Sequence, residues 1–142
     1  MKKLKGSYLI CFILLLVLCG CATSGNKAFQ TNESQVALRS MQTRAFDSTD
    51  KKLMMQTVIS TLQDLDFVVE KADLILGSVT GAKYLGNAVV AMTVTVRPRG
   101  EKQLLVRTNA QIGITSVEDP ETYQDFFTAL GKSLFLTAHN VD

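Results

Sequence analysis

The residue types that most often perform catalysis are sparse in this chain and form no catalytic constellation. His139 is the only histidine, and a Ser-His-Asp triad or a metal site would need companions that are absent around it. Asp64, Asp66 and Glu70 could act as paired carboxylates, but acidic residues at a helix end and a strand start are common surface choices. We therefore expect no catalytic residue, no metal site, no cofactor and no enzymatic activity.

The segment Gly77-Ser78-Val79-Thr80-Gly81 brackets small residues between two glycines. It lacks the Gly-Lys-Ser/Thr ending of a phosphate-binding loop and does not match a nucleophile elbow. The pattern indicates instead a strand with a bulge or bend.

Basic residues indicate binding rather than catalysis. One group surrounds a predicted hairpin: Arg97, Arg99, Lys102 and Arg107. These side chains either meet anionic lipid headgroups, lipopolysaccharide or an acidic partner, or keep the hairpin soluble and discourage edge pairing. Arg39 and Arg44 on the predicted first strand are further candidates for contact with a partner, because arginine on a strand often pairs with an acid.

The start of the chain has the pattern of an export signal. Lys2, Lys3 and Lys5 precede an uncharged run from Tyr8 to Cys19. That length fits the apolar core of a signal peptide, whereas a membrane-spanning helix needs about 20 apolar residues. We expect residues 1–20 to be a cleaved signal peptide.

The end of that run, Leu18-Cys19-Gly20-Cys21, resembles the lipobox of bacterial lipoproteins. The resemblance implies that Cys21 becomes the first residue of the mature chain and is acylated on its sulfur and amino group. Three acyl chains would attach the protein stably to a membrane. Ala22 is not the aspartate that retains such proteins at the inner membrane, so the resemblance implies the periplasmic side of the outer membrane in a Gram-negative envelope.

Cleavage would also change what the composition means. It would remove three lysines and take the formal net charge from +2 to −1, so the basic composition does not indicate nucleic-acid binding. All three cysteines lie in the predicted signal peptide or directly after its cleavage site: Cys11, Cys19 and Cys21. We therefore expect no disulfide in the folded domain.

Residues 21–34 are rich in Ser, Thr, Asn and Gly and indicate a lipidated N-terminus followed by a flexible linker. Residues 35–142 are long enough for one domain with a core. The predicted strands cover residues 35–46, 67–70, 74–83, 88–97 and 103–112, and the predicted helices cover 49–64 and a segment opening at Asp119-Pro120. The expected fold is α+β, with an antiparallel sheet of about five strands and two helices on one face, in the order β-α-β-β-β-β-α.

Alternation along the two longest predicted strands indicates which side of the sheet is covered. Val90, Met92, Val94 and Val96 share one side, and the residues between them are mostly small or polar. An antiparallel sheet with one apolar and one polar side is covered on one side only. Residues 98–101, with a proline and a glycine, predict the hairpin turn between these strands.

The run from Met41 to Lys83 resembles a family of small uncharacterised bacterial envelope lipoproteins. The matching residues are Met41-Gln42-Thr43-Arg44, Phe46-Asp47, Leu62-Gln63-Asp64, Phe67, Gly77 and Lys83. The family usually has glycine where Asp66 stands, so Asp66 is expected to adopt a left-handed conformation. The element order is also similar to the helix-grip domains of one lipoprotein component of the outer-membrane barrel-assembly machinery, a likeness of topology that transfers no function.

These features predict a non-enzymatic interaction module, held to the membrane by its N-terminal lipid and bound to an envelope protein. Contact through an edge strand or the sheet face is expected, using the first strand and the basic hairpin. The alternative is a lipid or glycan ligand between the long helix and the sheet, which requires a cavity of a few hundred Å³. Solid packing of Phe126, Phe127 and Leu134 against the sheet would exclude that alternative.

Overall fold

An antiparallel sheet covered on one face by two long helices forms the folded part of the chain. The computed structural model describes residues 35–139, so Cys21, the predicted signal peptide and the predicted linker lie outside the described residues. The elements are α1 (35–41), β1 (Thr43–Phe46), α2 (Lys51–Asp64), β2 (Val68–Asp73), β3 (Ser78–Leu85), β4 (Ala88–Arg99), β5 (Gln103–Ile112), β6 (Thr115–Ser116) and α3 (Pro120–His139). The strand order is β1-β5-β4-β3-β2, and β6 pairs with the end of β5. The predicted α+β class is confirmed.

The predicted first strand is wrong over its first half. Residues 35–41 are helical, and only Thr43–Phe46 pairs with β5. Leu38 is buried and Met41 packs partly against the core, and these two residues lie three positions apart, on one side of a helical turn. The imperfect alternation of this segment therefore concealed a helical period.

The boundary between β2 and β3 also differs from the prediction. β2 continues through the predicted polar turn, and the turn lies instead at residues 74–77. A carboxylate oxygen of Asp73 accepts a hydrogen bond from the Leu76 N–H at 2.8 Å, and Gly77 adopts a φ of +70°. This side-chain cap favours a turn despite the strand propensity of the Leu-Ile-Leu run. The bulge lies in β2, between Val69 and Lys71, rather than in β3.

The hairpin between β4 and β5 is shifted toward its tip. β4 runs to Arg99, where Pro98 is opposite Leu104, and the turn covers residues 100–102. Gly100 has a φ of +61°, which fits the glycine expected in such a turn. β5 has the predicted bounds.

The covered face of the sheet packs against α2 and α3. Val94 and Val96 of β4, Met54 of α2, and Phe126 and Leu130 of α3 are at most 1% exposed and belong to one core cluster. Burying a large apolar side chain stabilises the fold by about 1.5–3 kcal/mol. The predicted apolar side of β4 and β5 is therefore the side that the helices cover.

The end of α2 has the predicted left-handed residue. Asp66 has a φ of +66°, its N–H donates to the Gln63 carbonyl at 3.0 Å, and the Phe67 N–H donates to the Leu62 carbonyl at 2.9 Å. These two bonds satisfy carbonyl groups that the helix leaves free. Lys83 Nζ donates to the Leu65 carbonyl at 3.0 Å, which closes the helix end.

The start of α3 is capped by Asp119. The Thr122 hydroxyl donates to an Asp119 carboxylate oxygen at 2.9 Å, and the Thr122 N–H donates to the same oxygen at 3.2 Å. The side-chain bond from Thr122, followed by the backbone bond, lowers the pKa of the Asp119 carboxyl. Within residues 35–139, no helix has the length and apolar character needed to cross a membrane.

A buried polar link joins α3 to the chain around β1. Gln42 Nε2 donates to the Tyr123 hydroxyl at 3.2 Å, and that hydroxyl donates to the Val117 carbonyl. Tyr123 is fully buried and Gln42 is 5% exposed. The link therefore ties three separate segments together through one phenol oxygen.

Candidate functional site

The face of the sheet opposite the helices carries the strongest candidate for a binding surface. Along β4, Thr93, Thr95 and Arg97 alternate with the buried valines and are partly or fully exposed. Both long helices belong to the core cluster on the other side. Within residues 35–139 this open face is therefore covered by no helix.

Register places three arginines together on the open face. Thr95 is opposite Arg107 and Arg97 is opposite Leu105, so Arg97 and Arg107 are diagonal neighbours, with a Cβ separation of roughly 7–8 Å or less. Arg99 is two residues further along β4 and points to the same side. We refer to Arg97, Arg99 and Arg107 as the arginine cluster.

No member of the arginine cluster forms an ion pair within residues 35–139, although Asp47 and Glu101 lie around the same pocket as Arg99. Within the described part of the chain, an ion pair joins Lys83 Nζ to an Asp66 carboxylate oxygen at 3.5 Å. Neither residue belongs to the arginine cluster. Asp73 lies in the same cross-strand row of paired residues as Arg107. Ser78 on β3 and Thr95 on β4 lie between them in that row. Three unpaired cations on a rigid face create a positive potential that attracts anions.

The other predicted contact residues lie elsewhere or contact the protein itself. Lys102 is exposed in the β4–β5 turn, at the same end as the arginine cluster, and Arg39 is exposed on α1 rather than on a strand. Arg44 is opposite Val106 on β5 and therefore points to the covered side. Its guanidinium carbon lies 4.8 Å from the centroid of the Phe127 ring, a cation–π contact within the domain.

The edges of the sheet offer less for partner binding than its open face. β1 has only four residues, and the end of β5 beyond it is occupied by β6. At the other edge, the bulge at Glu70 interrupts β2. Bulges and short edge strands discourage the addition of another strand. Of the two predicted modes of contact, the sheet face has the better support.

The space predicted for a small ligand is largely filled by aromatic side chains. Phe126 and Phe127 are at most 1% exposed, with ring centroids 5.3 Å apart, and Leu134 is partly buried. A cavity of about 220 Å³ does lie beside Phe67 and Lys83, at one end of the sheet. It is smaller than the roughly 300–1,000 Å³ of typical ligand pockets.

The carboxylates considered for catalysis are all exposed, around the end of α2 and in β2. Asp66 pairs with Lys83 and is largely exposed, and Glu70 lies at the bulge of β2. Residues 35–139 contain no group of three histidine, cysteine or acidic side chains that could hold a metal ion. His139 is the last residue of α3.

Sequence reasoning missed one exposed feature, the turn at Leu74, Ile75 and Leu76. An aspartate before the three aliphatic residues and a glycine after them was the available signal, because together they indicate a capped turn. Comparison with known proteins adds no residue to the site: no protein-family model matches the chain, and the curated proteins contain no match to it.

Proposed function

We propose that the protein is a non-enzymatic interaction module of the bacterial cell envelope, anchored through lipid on Cys21 at the periplasmic side of the outer membrane. Its open sheet face binds an acidic surface of an envelope protein. The observation that carries this proposal is the arginine cluster, whose members share one face and form no ion pair within residues 35–139.

The arginine cluster has a cost in folding free energy that an acidic partner would offset. Like charges that lie close together on one face of a sheet repel each other, so the cluster does not stabilise the fold. An arginine guanidinium forms two parallel hydrogen bonds with a carboxylate, and strands hold the three side-chain origins in place before binding. Such preorganisation lowers the entropy lost on association. The cluster also disfavours pairing of two copies through the same patch.

The partner is tested by crosslinking in living cells followed by affinity capture of the lipidated protein. A double variant, Arg97→Gln with Arg107→Gln, removes charge from the open face. The matched control, Lys52→Gln with Lys132→Gln, removes two exposed charges from the helices. We expect the wild type and the control to recover the same envelope protein and the double variant to lose it.

Two results would contradict this proposal. If no protein is recovered reproducibly with the wild type, the protein is not an interaction module of this kind. If the arginine double variant retains the partner, the open face is not the binding surface. Interaction through exposed charges should also weaken as salt increases.

The anchor is tested separately by metabolic labelling with a palmitate analogue. We expect Cys21→Ala to abolish labelling, because Cys21 is the proposed acceptor. Cys19→Ala is the matched control, since it removes the neighbouring cysteine and should retain the label. Labelling that persists in the Cys21 variant would contradict the lipid anchor.

A further inference from the structure

The turn between β2 and β3 exposes three consecutive aliphatic side chains. Leu74 is 48% exposed, Ile75 is 90% exposed and Leu76 is 67% exposed. We call Leu74–Leu76 the apolar turn. Isolated apolar residues are normal on a protein surface, but a contiguous exposed group indicates an interaction site.

The apolar turn is held by hydrogen bonds at both of its ends. A carboxylate oxygen of Asp73 accepts a hydrogen bond from the Leu76 N–H, and the Asp73 backbone carbonyl accepts one from the Gly77 N–H, each at 2.8 Å. Lys51 Nζ, from the start of α2, donates to the Ile75 carbonyl at 3.0 Å. The Val96 N–H donates to the Gly77 carbonyl at 2.7 Å. The aliphatic side chains are therefore presented to solvent on a fixed backbone.

Cations flank the apolar turn. Lys51 contacts it directly, and Arg97 follows the residue that is bonded to Gly77. Because β4 continues past this point, Arg99 and Lys102 lie at the same end of the sheet. Acidic residues at this end include Asp73 and Asp50, each of which uses a carboxylate oxygen to cap a backbone N–H group. Asp47 and Glu101 also lie at this end, around the same pocket as Arg99 and Lys102. The aliphatic side chains of the apolar turn would fit the apolar interior of a phospholipid membrane, and the cations beside them would fit its anionic headgroups.

The opposite end of the sheet is also apolar, but most of its charged residues are acidic. Its exposed apolar residues include Leu85, Ile112 and Ile114. Acidic residues near that end include Asp64, Asp66, Glu118, Asp119, Glu121 and Asp125, and Lys83 there pairs with Asp66. Carboxylates are repelled by anionic lipid, so the two ends differ in their affinity for such a membrane.

We propose that the apolar turn inserts into the headgroup region of the anionic phospholipid membrane that carries the anchor. This inference rests on the proposed lipid anchor. The predicted linker, Thr23 to Ser34, would reach roughly 40 Å at most if fully stretched at about 3.3 Å per residue. The proposed anchor would therefore allow the domain to contact the membrane. With the apolar turn in the membrane, the strands run roughly along the membrane normal. The open face is then directed parallel to the membrane plane, where a partner can reach it.

Tryptophan fluorescence tests the proposal, because the chain contains no tryptophan. Ile75→Trp places a single probe on the apolar turn, and Ile114→Trp places a matched probe at the opposite end. Both positions are at least 90% exposed, so the substitutions leave the core intact. Each lipidated full-length variant is reconstituted in vesicles of phosphatidylcholine, alone or with phosphatidylglycerol, and quenching by brominated acyl chains is measured.

We expect the Ile75→Trp emission to shift to shorter wavelength and to be quenched several-fold more strongly than that of Ile114→Trp. The difference should increase when phosphatidylglycerol is present. Equal quenching at the two positions, or stronger quenching at residue 114, would overturn the proposal. Shielding of the Ile75→Trp probe only by added envelope proteins would also overturn it, because the turn would then be a protein contact.

Flotation of the vesicles separates this proposal from the anchor on which it rests. If the wild-type protein does not float with the vesicles, the lipid anchor itself is wrong. If every variant floats and Ile75→Trp remains in water, the anchor stands and the orientation is wrong.

Discussion

Val94 and Thr95 are neighbours on β4, yet they belong to two surfaces with different surroundings. Val94 is fully buried beneath the helices, whereas Thr95 lies on the open face beside Arg107. The covered face carries the apolar core. The open face carries polar side chains and unpaired cations at one end, and the exposed side chains of Val68, Tyr84 and Val89 toward the other. The contrast indicates that the stability of the fold comes mainly from the covered side of the sheet.

The largest change in stability is expected when an aromatic ring is removed from the covered face. Phe126→Ala should lower the free energy of unfolding by about 3–5 kcal/mol, because it leaves a cavity in a fully packed site. Urea denaturation measures the change. The control is Leu136→Ala on the same helix, where the side chain is 49% exposed and the loss should be much smaller. A similar loss in both variants would contradict the packing of α3 on the sheet.

A second variant tests the close approach between the apolar turn and β4. Gly77→Ala would place a Cβ 2.4 Å from the Val96 carbonyl oxygen, at a φ of +70°. Left-handed strain alone costs about 1–3 kcal/mol, and the contact adds to it. Gly86→Ala is the matched control, since its φ is +59° but its Cβ would meet nothing within 4 Å. Equal losses of stability would mean that the contact with Val96 is unimportant.

The buried polar link provides the third test of the covered side. Tyr123→Phe removes the hydroxyl shared by Gln42 and the Val117 carbonyl, and should cost about 1–2 kcal/mol because a buried polar group loses its partner. Tyr84→Phe is the control, since that ring is 64% exposed. We expect a change of melting temperature only in the buried variant. An unchanged Tyr123→Phe protein would show that the link does not stabilise the fold.

The smallest effect is expected on the open face. Arg97→Gln with Arg107→Gln should change the free energy of unfolding by no more than about 0.5 kcal/mol, the usual range for exposed positions. Urea denaturation at low salt gives the most sensitive measurement, because screening is weakest there. A loss well above that range would mean that the arginines hold the sheet together, and the contrast between the two faces would fail.

Local patterns were sufficient for the regular elements. The alternation in β4 and β5 predicted their covered sides. The helix predicted over residues 49–64 is α2, and Asp50 caps its start by accepting a hydrogen bond from the Leu53 N–H at 2.8 Å. One prediction failed where a tertiary contact outweighed propensity, since Leu38 packs against the core and residues 35–41 are helical. The other failed at a local side-chain cap, because Asp73 bonds to the Leu76 N–H and the chain turns within a strand-like run.

The candidate site was predictable only as a set of residues. The sequence identified six cations, but their positions along the chain do not show which of them share a face. Pairing between β4 and β5 brings Arg97, Arg99 and Arg107 together, while pairing of β1 with β5 directs Arg44 toward Phe127. Strand register decides this, because a shift of one residue would move each side chain to the other face.

The sequence by itself therefore determined the fold class, the long strands and the expectation of a lipid-anchored module, since these depend on composition and short-range periodicity. The tertiary structure decided which cations lie together, which edge is blocked and where the aliphatic turn is exposed. These depend on contacts between residues far apart in the chain, such as the hydrogen bond that joins Gly77 to Val96.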